Sequence, residues 1–196
     1  MRLVVLGGNG RTGVHLVDRA LARGTPRKLE DVSKAFSGSP KPEAVIVTLN
    51  PSRLSDSPFS RPAAPPRFLA HSVANAITAM RQHDVKKLVV MQAMGVGDSR
   101  PHMSFWMRWV RRWTYMKHSY DDHDLVDEIV KFSGVSYVLA RPPWLTDGKV
   151  GPVRTFGNTG KGVGNLATIS RRSVTEFLLD ACEKSDWDCS TPVIAS

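Results

Sequence analysis

At 196 residues the chain is long enough to bury a sizeable core, and residues 1–196 read as one domain whose 41% hydrophobic and 23% charged content is ordinary for a soluble globular protein. The formal charge of +9 favours anionic partners, for which a phosphate-rich cofactor is sufficient. No apolar run approaches the roughly 20 residues that cross a bilayer, the first residues are a strand without a signal-peptide layout, and Cys182 and Cys189 are too few for a disulfide framework and lack the company of a metal site; a cytoplasmic location, reduced thiols and no metal are expected.

Residues 2–6 form an apolar, β-branched run of strand length. Gly7, Gly10 and Gly13 follow at the spacing G-x-x-G-x-x-G, and Val14, Leu16, Val17, Ala20 and Leu21 then recur at helical spacing. In a strand–turn–helix unit that binds a pyrophosphate, the first glycine turns the chain and the second clears room for phosphate. The third lets helix and strand pack closely, and the helix N-terminus offers N–H groups and partial positive charge. A tight turn that holds nothing has the same glycines; the strand before and amphipathic helix after favour the ligand.

Gly24-Thr25-Pro26 stops the helix. Residues 27–36 read as a short helix, 37–42 as a loop, and 44–49 as a buried strand ended by Asn50-Pro51. Five of the 13 prolines, at 51, 58, 62, 65 and 66, mark residues 52–66 as a loop. Residues 68–83 are helical, with Leu69, Val73, Ala76, Ile77 and Met80 inward. The strand Lys87–Met91 runs into residues 92–97, the kind of strand end at which open α/β sheets bind ligands. Residues 105–118 read as one helix with Trp106, Trp109, Val110 and Trp113 along one face. Arg108, Arg111, Arg112 and Lys117 carry its charge, and no acid lies between Ser99 and Tyr120. A second, acidic helix over 121–131 ends at Ser133-Gly134. A strand over 135–140, a glycine-rich loop or hairpin over 148–164, the helix Arg171–Glu183 and a short strand over 192–195 complete the chain.

This order resembles the NmrA-like atypical short-chain dehydrogenases, especially their biliverdin-IXβ/flavin reductase branch. The likeness lies in residues 5–13, 31–49 and 85–90, in Asp121-Asp122-His123, from Ser133-Gly134 through Pro143, and in residues 169–179. It implies an α/β fold, a three-layer, doubly wound, Rossmann-like parallel sheet that binds NAD(P). The implied activity is reduction of a small conjugated or aromatic substrate of flavin, quinone or tetrapyrrole type, or, in some relatives, dinucleotide sensing with regulation of a partner protein. The segment after Gly24 is shorter than the family's by two strands and a helix, so the second and third strands are expected to be missing. Asp31 lies near the offset of a ribose-binding acid but in a helical pattern, and reads as a solvated first-turn acid. Gln92 stands where the branch has a serine and Trp144 where it has a histidine. The Tyr-x-x-x-Lys pair is absent: Tyr115, Tyr120 and Tyr137 are followed four residues on by Ser119, Asp124 and Arg141. Hydride transfer needs mainly the cofactor and its orientation, so these departures do not exclude it.

The candidate cofactor residues are Gly7, Asn9, Gly10, Arg11, Thr12 and Gly13 of the turn, with Leu49, Asn50, Met91, Arg141 and Pro142 at the strand ends. Arg11 is the one basic group placed to meet an adenine 2′-phosphate, which favours NADP, with NAD as the alternative. Gln92 and His123 are the catalytic candidates. Gln92 can bind a substrate carbonyl or the nicotinamide carboxamide, or simply face water. His123 aligns with the lysine with which many atypical relatives hold the nicotinamide ribose. A protonated imidazole beside Asp122 or Asp124 can donate similarly, or the histidine can be exposed on its helix. Arg141 can face phosphates, or pair with Asp121 or Asp127 to join two elements, the reading preferred here. Trp109, Trp113 and Trp144 are taken as substrate walls, with the tryptophan helix as core and lid; membrane or nucleic-acid contact is the alternative for its aromatic-basic pattern. The expected partner is a small-molecule substrate, with no nucleic acid and no membrane span. Loss of the neighbouring strands would also leave Leu3–Leu6 at an edge open to homodimerisation and weaken dinucleotide binding.

Overall fold

A computed structural model describes residues 1–23, 36, 40–55 and 57–196. The expected helix over 27–36 lies outside the described residues except for Phe36, which is helical and buried; Asp31 also lies outside them. Of the segment after Gly24 in which the second and third strands are expected to be missing, residues 25–35 and 37–39 lie outside the described residues.

Four parallel strands, β1 (Leu3–Leu6), β2 (Ala44–Val47), β3 (Lys87–Met91) and β4 (Ser136–Ala140), stand in the order β1-β2-β3-β4. Leu3 is level with Ala44, Ala44 with Lys87 and Lys87 with Ser136. The helices are α1 (Arg11–Ala22), α2 (Phe68–Gln82), α3 (Phe105–Trp113), α4 (Met116–Lys131) and α5 (Arg171–Glu183). Side chains alternate across a strand, so each strand feeds two cores. Ile46, Val89, Val138 and Ala140 meet Leu16 and Ala20 of α1 and Phe177 and Leu178 of α5. Val45, Val47, Leu88, Val90 and Leu139 meet Leu69, Val73 and Met80 of α2 and Val126 and Val130 of α4. The result is the expected three-layer Rossmann-like sandwich.

Among the described residues β1 pairs only with β2, the neighbour that a loss of the family's second and third strands would leave it. Val4 is buried, but Leu3, Val5 and Leu6 are only half-buried. The residues expected to form a hairpin or loop over 148–164 instead contribute β6 (Arg154–Thr155), antiparallel to β8 (Ile194–Ala195), while β5 (Trp144–Thr146) pairs in parallel with β7 (Thr168–Ser170).

The expected helix over 105–118 is two helices. Thr114 adopts an extended backbone, its hydroxyl donates to the Val110 carbonyl at 2.7 Å, and the same oxygen accepts the Met116 N–H at 3.2 Å, so α3 stops and α4 starts anew. The tryptophan face is also turned the other way. Val110 is buried, whereas Phe105, Trp106, Trp109 and Trp113 are all exposed. Periodicity gives a helix one apolar face; it does not guarantee that the fold covers it.

Candidate functional site

All four central strands end on one side, opening into the glycine turn, residues 48–50, Gln92 and Arg141-Pro142. Gly7 has φ +91°, and a Cβ there would lie 2.9 Å from backbone atoms of Thr48 and Leu49. A Cβ at Gly13 would lie 2.0 Å from the Gly7 carbonyl oxygen. Both glycines are therefore demanded by the turn itself. Gly10 differs. Its φ of −75° and ψ of 166° suit any residue, and a Cβ there meets nothing nearer than the Gly7 oxygen at 3.3 Å. The first bond of α1 runs from the Val14 N–H to the Gly10 carbonyl at 2.9 Å, and the Thr12 and Gly13 N–H groups have no acceptor among the described residues. A helix N-terminus of this kind suits an anion.

From this turn a crevice of about 840 Å³ runs along the strand ends, lined by Gly7, Asn9, Gly10, Arg11, Thr12, Leu49, Asn50 and Met91, all expected cofactor residues. Gly13 is not on its wall; its part is to let α1 pack on the turn. Arg53 and Leu145 carry the crevice into a small pocket of about 130 Å³ bounded by Gln92, Tyr120, His123 and Pro142, and into a chamber of about 390 Å³ bounded by Met103, Met107, Met116, Pro143 and Trp144. Arg11 is not the one basic group here, as the sequence suggested. Arg53 and Arg171 share the wall, and Arg11 and Arg171 both pair with Asp147, at 3.2 and 2.6 Å. Both lie far from Arg11 in sequence, and only the folded chain shows them together.

Arg141 does not reach the crevice wall. Its guanidinium is fully buried behind it, paired with Asp127, while its Nε donates to Gln92 Oε1 at 3.4 Å and its NH1 to the Asn158 carbonyl at 3.2 Å. This is the structural pairing preferred above, and it corrects the cofactor role. Gln92 does line the small pocket, but it does not face water: its Nε2 donates to the His123 carbonyl at 3.0 Å, tying β3 to α4.

His123 is buried, neither exposed on its helix nor protonated. Desolvation lowers its pKa to about 4 against the upward pull of Asp122 and Asp124. Its Nδ1 is buried with no hydrogen-bond partner among the described residues. Above the ordinary histidine pKa both folded and unfolded forms are neutral; between there and about pH 4 only the unfolded chain takes the proton. His123 therefore costs stability as pH falls through this window, up to about 3 kcal/mol. The melting temperature of the wild type should drop from neutral pH toward pH ~4 more steeply than that of His123→Gln. Equal slopes would contradict a buried neutral imidazole.

One turn earlier, Tyr120 lines both the small pocket and the chamber. Burial pushes its phenol up to about 12, with Arg111, whose guanidinium lies 4.9 Å from the ring centroid, pulling down and Asp124 pushing up. It was passed over in the sequence because no lysine follows it at the expected spacing. Asp122 was also missed in its actual role. Its carboxylate accepts the N–H groups of Leu69 and Ala70, both at 2.9 Å, and so caps α2 from α4, where Arg67 supplies no side-chain cap. Asp122→Ala should lower unfolding free energy by about 2 kcal/mol in urea titrations; an unchanged midpoint would show that α2 needs no cap from α4.

Trp144 lies on the chamber wall, but Trp109 and Trp113 do not; their helix contributes Met107 instead. The stripe faces outward, so these two are corrected as substrate walls.

A family model for NAD(P)H binding matches residues 24–185. The chain belongs to the NAD(P)H-binding family. That assignment agrees with the resemblance read from the sequence, and its match begins after the glycine turn, whose role rests on the geometry above. Among solved structures, the chain is similar to ChuY, described as an anaerobillin reductase, from Escherichia coli O157:H7, at 16% identity and a TM-score of 0.75, over 99% of this chain and 96% of that one. It is similar to an NAD-dependent epimerase/dehydratase, so described, from Bacillus halodurans, at 16% identity and a TM-score of 0.74, over 100% and 94% of the two chains. A short-chain dehydrogenase/reductase from Veillonella parvula gives 11% identity and a TM-score of 0.70 over 98% and 93%. The cofactor of this NAD(P)H-binding chain is thus a nicotinamide dinucleotide, and the residues fit one: position 10 lacks a side chain that its own backbone would accept, helix N–H groups adjoin it, and arginines share the wall. No helix among the described residues is long and apolar enough to cross a membrane.

Proposed function

We propose that the protein is a cytoplasmic NADPH-dependent reductase of a small, flat, conjugated substrate of flavin, quinone or tetrapyrrole type. One observation carries this reading: the crevice at the glycine turn, the pocket bearing His123 and Tyr120, and a chamber walled by methionine, proline and tryptophan beside Arg11, Arg53 and Arg171 adjoin one another across Arg53 and Leu145. When bound, the cofactor supplies the hydride. The chain supplies binding and orientation. The turn holds diphosphate, and Arg11 and Arg53 favour the 2′-phosphate form over NAD. His123 borders the small pocket as a neutral imidazole, in place of the charged donor expected from the sequence. Tyr120, held protonated by burial, keeps a phenolic proton at the chamber wall. Gln92 positions His123 through its carbonyl. The description of the Escherichia coli neighbour as an anaerobillin reductase favours the tetrapyrrole type.

A dinucleotide sensor is the second reading, favoured by the internal engagement of Gln92 and Arg141 and by the missing Tyr-x-x-x-Lys pair. Absorbance of NADPH followed with riboflavin, menadione or biliverdin separates the two. The reductase reading expects steady oxidation with at least one acceptor, slowed about tenfold or more in Tyr120→Phe. Saturable binding without turnover for every acceptor would leave the sensor.

A further inference from the structure

We propose that α3 is a peripheral membrane contact that docks on the headgroup region of an anionic bilayer. The helix is divided lengthwise. Val110 and Met107 face the protein, Met107 as part of the chamber wall, so docking does not require α3 to leave the fold. The outer side carries Phe105, Trp106, Trp109 and Trp113, which are 80%, 62%, 40% and 65% exposed. At ~100° per residue these four rings cover roughly a quarter of the circumference, and Arg108 and Arg112 form the adjoining stripe.

Four large aromatics in one outward patch are not a scatter of surface hydrophobics. Their rings suit the boundary between acyl chains and headgroups, and the arginines beside them suit anionic headgroups. The charge is available. Arg100 and Arg111 pair with Asp124 and Lys117 pairs with Asp121, but Arg108 and Arg112 have no acidic partner among the described residues. Arg108 donates to the Met103 carbonyl, and Arg112 lies over the Trp113 ring at 5.7 Å. No acid occurs between Ser99 and Tyr120, and the chain as a whole carries +9.

A second copy fits this face less well, because a two-fold contact would set Arg108 and Arg112 against the same residues with no acid between them. Nucleic acid also fits less well. Trp106 and Trp109 stack on each other at 5.2 Å and 13°, which makes one ledge instead of separate platforms for bases.

The test uses the full chain with vesicles of phosphatidylcholine alone or mixed with phosphatidylglycerol, read by co-sedimentation and by the tryptophan emission maximum. Binding to anionic vesicles should exceed binding to neutral ones by about tenfold or more, weaken with salt and shift emission to the blue. Trp106→Ala and the pair Arg108→Glu/Arg112→Glu, all solvent-facing, should lose this binding with unchanged circular dichroism and melting. No partition of the wild type into anionic vesicles would overturn the proposal. So would equal binding by these variants, self-association abolished by Trp106→Ala in light scattering, or an oligonucleotide that binds tightly and is not displaced by anionic vesicles.

Discussion

Gly10→Val should reduce NADPH affinity by about a hundredfold or more while the protein keeps its fold and melting temperature within a few degrees. The backbone at position 10 is in an extended conformation open to any residue, and a Cβ there faces only the Gly7 carbonyl oxygen at 3.3 Å, a contact that a small shift relieves. A valine therefore costs the turn little, but it fills the side of the turn that lines the crevice. Gly13→Ala is the opposing control. Its methyl group would lie 2.0 Å from the Gly7 oxygen, so it should impair folding itself. Calorimetric titration with NADPH, paired with thermal melts, separates the two. A folded Gly10→Val protein that binds like the wild type would move the cofactor away from the turn.

Arg141→Met should be the most destabilising substitution considered, by about 3 kcal/mol or more. It strips a fully buried guanidinium from Asp127, Gln92 and the Asn158 carbonyl at once, and leaves the Asp127 carboxylate paired, among the described residues, with Lys131 at 2.9 Å. Because the loss comes mainly from a buried carboxylate left with one of its two cationic partners, the double substitution Arg141→Met/Asp127→Leu should recover part of it. Denaturant unfolding of the two singles and the double measures this coupling. An Arg141→Met protein as stable as the wild type would mean that the pair does not bind β4 to α4.

The parts legible in the sequence were those encoded locally. The turn and its strand and helix lie within the first 22 residues, so residue type and spacing carry them. The edge position of β1 among the described residues followed from a family likeness together with a segment too short for two more strands. The site was less legible because its walls come from distant stretches. Asp122 caps a helix whose first N–H groups lie 53 and 52 residues earlier, and no local pattern announces it. Arg53 and Arg171 meet Arg11 only after folding. The tryptophan stripe shows a different failure. Its helical spacing was read correctly, but covering a face requires a partner, and α3 turns that face to solvent. His123 was expected protonated beside Asp122 or Asp124, or exposed; burial instead outweighs the two neighbouring carboxylates and lowers its pKa.

The proposed dinucleotide site is the glycine turn with the crevice behind it. Isothermal titration of the wild type with NADPH, repeated with NADH, tests it most directly. Saturable binding at one site per chain is expected, tighter for NADPH than for NADH because Arg11 and Arg53 share the crevice wall. Absence of saturable binding by either dinucleotide to the folded protein would contradict it.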